Sequence, residues 1–184
     1  MKHPATLLLF LFVAAALCGA CRPAAPAPAD DVAEYQPRWR SHTVDSTQYR
    51  KVFLAGTIDM GRSVDWQAAL VARFRDSVSG RWLFFNPRRR EFRASPAEME
   101  HQIAWELAHL EAADLIVMNL LGDSRSPISL LEMGLHARSG RLLVACSPDY
   151  YRYDNVRITC RRYGVPLYDS LEALLDDLLR RTDR

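Results

Sequence analysis

Lysine is almost missing from this chain: of 24 basic residues only Lys2 and Lys51 are lysines, so arginine supplies nearly all the positive charge. The acidic residues number 22 and the formal net charge is +2. Removing residues 1–21 would take away only Lys2, leaving 23 basic residues against 22 acidic ones. A chain so close to neutral lacks the basic excess that a nucleic-acid partner requires. Cysteine is scarce as well, with Cys18, Cys21, Cys146 and Cys160 the only four. That is too few for a disulfide scaffold, and the spacing matches no zinc site, so no metal is expected. Cys146 and Cys160 read as two buried thiols, although an oxidising compartment would permit a bridge between them.

Long apolar runs are also absent, with one exception near the start. Lys2 and His3 precede the run Leu7 to Leu17, which gives way to Cys18-Gly19-Ala20-Cys21. A transmembrane helix needs about 20 apolar residues, so this shorter run reads as a signal peptide over residues 1–21. Gly19 and Ala20 directly before Cys21 resemble the lipobox at which bacterial lipoproteins are cut and acylated on the cysteine. The match is imperfect, because Cys18 stands where leucine is usual and Leu17 lies one position too early. Lipidation at Cys21 and a membrane-anchored place in the bacterial envelope are the expectation, with plain secretion or an uncleaved anchor as alternatives. Residues 22–50 follow as a lead-in, beginning with a proline- and alanine-rich tether that has nothing to build a core with. Its later part, residues 33–49, is polar and mixed; a short strand or turn at the domain edge is left open.

From residue 51 onward the pattern is regular, with 49% of the whole chain apolar and 25% charged, as in a globular domain. Short apolar runs at residues 52–55, 82–85, 115–121, 142–146 and 165–168 read as strands, the last an edge strand because of Pro166. Helical spacing covers residues 65–78, 96–113, 128–139, 155–163 and 171–180. Ser95-Pro96-Ala97-Glu98 is a capping box with proline in the first turn. Strands alternating with helices imply a three-layer, Rossmann-like or flavodoxin-like α/β fold: about five parallel strands with helices on both faces, over residues 51–184. Ligands of such sheets sit beyond the carboxyl ends of the strands. Those ends carry Gly56, Thr57 and Asp59, then Asn86-Pro87, the loop 122–127 with Ser126, and Ser147-Pro148.

Three ordered segments carry a family resemblance: Phe53-Leu54-Ala55-Gly56-Thr57-Ile58-Asp59, then Trp105-Glu106 ahead of Ala113-Asp114-Leu115-Ile116, then Ser126-Pro127-Ile128-Ser129-Leu130-Leu131-Glu132-Met133-Gly134. Together they resemble the nucleoside 2-deoxyribosyltransferase-like family, whose relatives include deoxynucleotide N-hydrolases. The resemblance implies an N-glycosidic-bond enzyme acting on a nucleoside or nucleotide, without a cofactor, and a homo-oligomer, since relatives often complete their sites across subunits. Glu132 stands where the family's nucleophilic glutamate attacks the anomeric carbon, and a carboxylate suits that role because it can form a covalent glycosyl intermediate. Glu106 matches by position the acid that assists the departing base, with glutamate in place of aspartate. The bland readings are a solvated glutamate near a helix N-terminus for Glu132 and one on an amphipathic helix for Glu106.

Gly56, Thr57, Asp59, Asn86, Asn119 and Ser126 are the candidate substrate-binding residues. The turn after Gly56 could accept a sugar or phosphate on backbone N–H groups, with Arg62 and Ser63 adding to a phosphate contact. Asn86, Asn119 and Ser126 could bond sugar hydroxyls or base edges. Ser126 before Pro127 reads more readily as a helix cap. Trp66 and Trp105 could stack on a base but read more readily as core, and Arg88-Arg89-Arg90 could meet an anionic ligand but reads more readily as a solvated turn. Gly134 would let backbone or ligand approach closely. One position departs from the family: its transferases often hold the glutamate with a tyrosine of the first strand, where Phe53 stands here. The rival expectation is a non-catalytic lipoprotein that binds a nucleotide-like ligand or a protein partner in the same cleft.

Overall fold

The computed structural model describes residues 32–37, 47–77, 80–89 and 95–182. Residues 1–21, with Cys21, and Arg90 lie outside them. Six strands form one sheet: β1 Val32–Tyr35, β2 Arg50–Gly56, β3 Trp82–Phe85, β4 Leu115–Leu120, β5 Leu142–Cys146 and β6 Leu167–Tyr168. Five α-helices cover it: α1 Trp66–Arg75, α2 Pro96–Ala112, α3 Pro127–His136, α4 Tyr153–Tyr163 and α5 Leu171–Thr182. Every pairing is parallel, in the order β1-β3-β2-β4-β5-β6.

The central strands are apolar throughout because both of their faces are covered. Val52 to Ala55 of β2 and all of β5 are buried. On one face α1 and α5 contribute Leu70, Phe74, Leu174 and Leu178 to a core with Val52, Leu54, Val117 and Ala145. On the other, α2, α3 and α4 bring Trp105, Leu110, Met133, Val156 and Cys160 against Phe53, Ile116, Met118 and Val144. Cys146 and Cys160 are free and buried, and burial pushes their thiols up to about 12 and about 11. Among the described residues no helix is long and apolar enough to cross a membrane.

The sequence suggested about five strands; the sixth is β1, which falls in the stretch left open. Its four residues, Val-Ala-Glu-Tyr, make no apolar run because it is an edge strand with β3 as its only neighbour. Val32 nevertheless packs into the α1 and α5 core, and Tyr35 packs edge-on against Phe85 at 6.4 Å.

Strand order fixes where a crevice opens. From β2 the chain passes through α1 outward to β3, then returns through α2 to β4 on the other side of β2. The connections leaving β2 and β4 diverge, and the sheet has its topological switch point there.

Candidate active site

A cavity of about 780 Å³ occupies that crevice, lined from the ends of β1, β2 and β3 and from α1, α2 and α3. Gly56 lets β2 end there. Its φ is +124°, and a Cβ on it would lie 2.2 Å from the backbone oxygen of Asn119, so only glycine allows β2 and β4 to stay paired at this point. Thr57 N–H then donates to that same Asn119 oxygen at 2.9 Å. Asp59 and Met60 follow with φ of 48° and 53°, a left-handed turn that brings both residues to the cavity.

A file of hydroxyls joins this turn to the loop after β4. Thr57 Oγ1 lies 2.8 Å from Ser126 Oγ, which lies 2.7 Å from Ser124 Oγ. Ser124 donates its one proton to Asp59 Oδ1 at 3.0 Å. Ser126 must therefore donate to Ser124, and Thr57 to Ser126, so the whole file points its protons toward a carboxylate. Thr57 Oγ1 also accepts from Leu121 N–H at 3.1 Å. Tyr150 pins the same loop by donating to the carbonyl of Arg125 at 2.6 Å. Ser126 thus departs from the expected cap: its backbone is left-handed at φ 38°, and its hydroxyl serves the file rather than the N–H groups of α3.

That loop launches α3, with Pro127 in its first turn and Glu132 five residues on. Glu132 lines the cavity yet is only 8% exposed. No side chain or N–H among the described residues donates a hydrogen bond to it. Burial, together with the nearby negative charge of Glu106, pushes its carboxyl up to about 8. Phe53, wholly buried against Trp105 at 6.1 Å, gives this side of the sheet no hydroxyl.

Glu106 reaches the cavity from α2, whose N-terminus is the capping box read from the sequence: Ser95 Oγ accepts from Glu98 N–H, and the Glu98 carboxylate accepts from Ser95 N–H. Gln102, one turn earlier, donates to Glu106 Oε1 at 2.6 Å and to the carbonyl of Pro87 at 3.1 Å. Arg89 donates to Gln102 Oε1 and to the carbonyl of Glu98. The Glu106 carboxyl is raised by burial, against the lowering effect of the Gln102 bond and the Arg89 charge. A buried and a partly buried carboxyl thus share one cavity, and the charge of Glu106 is felt at Glu132.

Several expectations need correction. Arg88 and Arg89 do not belong to a solvated turn. Arg88 is 7% exposed and donates to Gln67, to Ser63 and to the carbonyl of Val64, with Asp65 at 3.5 Å. Both arginines line the cavity. Thr57 and Asn119 were grouped with the ligand-facing residues, but neither lines it. Thr57 is fully buried with its hydroxyl in the file, and Asn119 lies beneath Gly56. Asn86 lines the cavity, yet its amide is engaged on both sides, donating to Glu34 Oε1 at 2.7 Å and accepting from Arg88 N–H at 2.9 Å. Gly134 is on the exposed side of α3, where a Cβ would meet nothing. Of the tryptophans, Trp66 is core and donates to the carbonyl of Thr57, while Trp105 stacks on His109 at 4.1 Å. Ser147-Pro148 does not reach the cavity.

The polar cavity residues that sequence reasoning missed include Glu34, Gln36 and Gln102. Gln102 carried a signal, since a residue four positions before Glu106 shares its helix face. Glu34 and Gln36 carried none, because the edge strand that delivers them had no pattern.

A family model for proteins described as nucleoside 2-deoxyribosyltransferase like matches residues 49–150. Among solved structures the chain is similar to a conserved protein from Enterococcus faecalis V583, at 16% identity and a TM-score of 0.49, over 72% of this chain and 99% of that one. A comparison with curated proteins finds no match. With more than half its length matched by the family model, the chain belongs to the nucleoside 2-deoxyribosyltransferase-like family.

Proposed function

We propose that the protein cleaves or transfers the sugar of a nucleoside, with Glu132 as nucleophile and Glu106 as acid and base. The observation that carries this reading is the pair itself: two carboxyls from different helices facing one cavity, each raised by burial, with the Glu106 charge raising Glu132 further. Glu132 as carboxylate attacks the anomeric carbon. The bond from that carbon to the base breaks, its electron pair goes to the base nitrogen, and the nitrogen takes the proton from Glu106. A water or a second base then attacks the glycosyl ester, losing its proton to Glu106 and expelling Glu132. Two displacements return the sugar with its original configuration, and protonating the departing base contributes about 10²- to 10⁴-fold.

At neutral pH Glu132, pushed up to about 8, holds a proton in the free site. Bound substrate moves it. Positive charge developing on the sugar favours the Glu132 carboxylate, and the nitrogen of the base offers Glu106 an acceptor.

Charge also bears on the substrate. The described lining residues include the carboxylates Glu34, Asp59, Asp65, Glu106 and Glu132, against Arg88 and Arg89, whose donors are already engaged within the protein. A nucleoside suits this cavity better than its phosphate ester. Asp59 Oδ2 accepts no bond from the described residues and would take a sugar hydroxyl.

The wider reading is an envelope protein anchored through an acylated Cys21, and a homo-oligomer. Exposed apolar side chains support the second point: Ile103 of α2 and Ile128 of α3, which line the cavity, and Leu131 and Leu135 of α3 are each at least half exposed, a surface a second copy would cover.

The test is release of free base from a nucleoside panel by the full chain. Glu132→Gln is expected to lose at least about a thousandfold in rate. Base release that survives this substitution removes the nucleophile, and saturable binding without turnover replaces the enzyme with a binding protein that uses the same cleft.

A further inference from the structure

Resting on that reading, we infer that Glu34 and Gln36 form a base-reading subsite selective for nucleobases that carry an exocyclic amino group. Glu34 lies in β1 and Gln36 just after it, both ahead of the region matched to the family.

The polarity of the cavity places the base. The base departs on the side of Glu106, and a continuous polar ledge runs from that carboxyl. Gln102 links Glu106 to the carbonyl of Pro87. Asn86, its neighbour at the end of β3, donates to Glu34 Oε1 at 2.7 Å, and Gln36 donates to the same oxygen at 3.0 Å. All six of these residues line the cavity. The sugar end is the opposite one, where Gly56, Asp59 and Ser126 stand. A base leaving from Glu106 therefore lies along the ledge that ends at Glu34.

The chemistry of that end is one-sided. A carboxylate only accepts hydrogen bonds. Two amide donors fix Glu34 Oε1, which sets the plane of the group, while Oε2 accepts nothing from the described residues. Gln36 spends one of its two amide N–H groups on Glu34, leaving its carbonyl oxygen as a second acceptor beside one remaining donor. Two uncommitted acceptors at one edge match an amino group, as in cytosine, adenine or guanine. An oxo group in the same place would put oxygen against oxygen.

Glu34→Gln isolates this effect. Its carbonyl oxygen still accepts from Asn86 and Gln36, so the amide is held with its NH2 where Oε2 was. An acceptor becomes a donor with little change in shape, and Glu34 is exposed on an edge strand, so the fold should hold; an unchanged melting temperature checks that. Two measurements on the full chain are made side by side: base release from the pairs deoxycytidine and deoxyuridine, and deoxyguanosine and deoxyinosine; and calorimetric binding of the free bases cytosine, uracil, guanine and hypoxanthine. The native chain is expected to favour the amino member of each pair by about tenfold or more, and Glu34→Gln to erase or reverse the preference. Preference in binding without any turnover supports the subsite while refuting the reaction. Turnover with no preference, a preference that survives Glu34→Gln, or no binding of any base overturns the subsite.

Discussion

Glu132 holds a carboxyl where its charge is least welcome, and its titration is the clearest handle on the site. If the singly protonated pair is the working form, kcat/KM follows a bell. The alkaline limb falls near pH 8 as the last proton leaves, matching the value of about 8 for Glu132. The acid limb lies above the ordinary glutamate value of 4.5, because Glu106 is raised as well. Glu106→Gln removes the partner charge and the acid together. Its low residual activity should rise with pH along a single limb whose midpoint is below that of the native alkaline limb. An alkaline limb left unmoved by Glu106→Gln would show that the two carboxyls do not titrate as a pair. Stability falls over the same alkaline range as activity. A carboxyl raised on folding favours the native state fully below its unfolded value and loses that contribution as pH rises through about 8, so Glu132→Gln should melt higher than the native chain at pH 8 to 9.

Individual elements explain what the sequence could disclose. Strands β2 to β5 were readable because burial on both faces makes each a short apolar run, and α2 because its capping box satisfies orphan N–H groups with side chains named in the sequence. Strand β1 was not readable: an edge strand half in water needs no such run, and Glu34 with Gln36 came into the site unseen along with it. Arg88 and Arg89 looked like a solvated turn because nothing local reveals that Gln67, Ser63 and Gln102, distant in sequence, surround them. Glu132 could be placed on α3, but its lack of a hydrogen-bond donor among the described residues could not. Gly134 shows the opposite error, a glycine given a purpose it lacks within one chain, since a Cβ there meets open space. In an isolated copy Gly134→Ala should therefore stabilise α3 by about 0.5–1 kcal/mol, the usual gain for an exposed helical position. If a second copy packs on α3 beside Leu131 and Leu135, the same methyl enters the interface and the oligomer weakens. Denaturant unfolding and light scattering on this one variant read both terms, and stabilisation with unchanged mass would place the oligomer contact elsewhere.

The whole molecule sets its cavity on a sheet whose first described strand begins at Val32, close behind the proline-rich residues that follow Cys21. If Cys21 carries acyl chains, those residues form the spacer between membrane and domain. The charge balance of the domain, close to neutral, offers no strong electrostatic attraction to an anionic membrane, so attachment should depend on the cysteine. A single acyl chain gives only marginal binding and stable anchoring takes two signals, so a fully modified lipoprotein should stay with the membrane through high-salt washing. In a bacterial host the full chain is expected in the membrane fraction, with an acylated N-terminal cysteine by mass spectrometry. Cys21→Ser should move it to the soluble fraction or leave it as unprocessed precursor, with base release by the folded domain unchanged. A Cys21→Ser chain that still carries acyl groups and still sediments with membranes would remove the anchor. The six-stranded domain and its carboxylate pair would then have to be explained in a soluble setting.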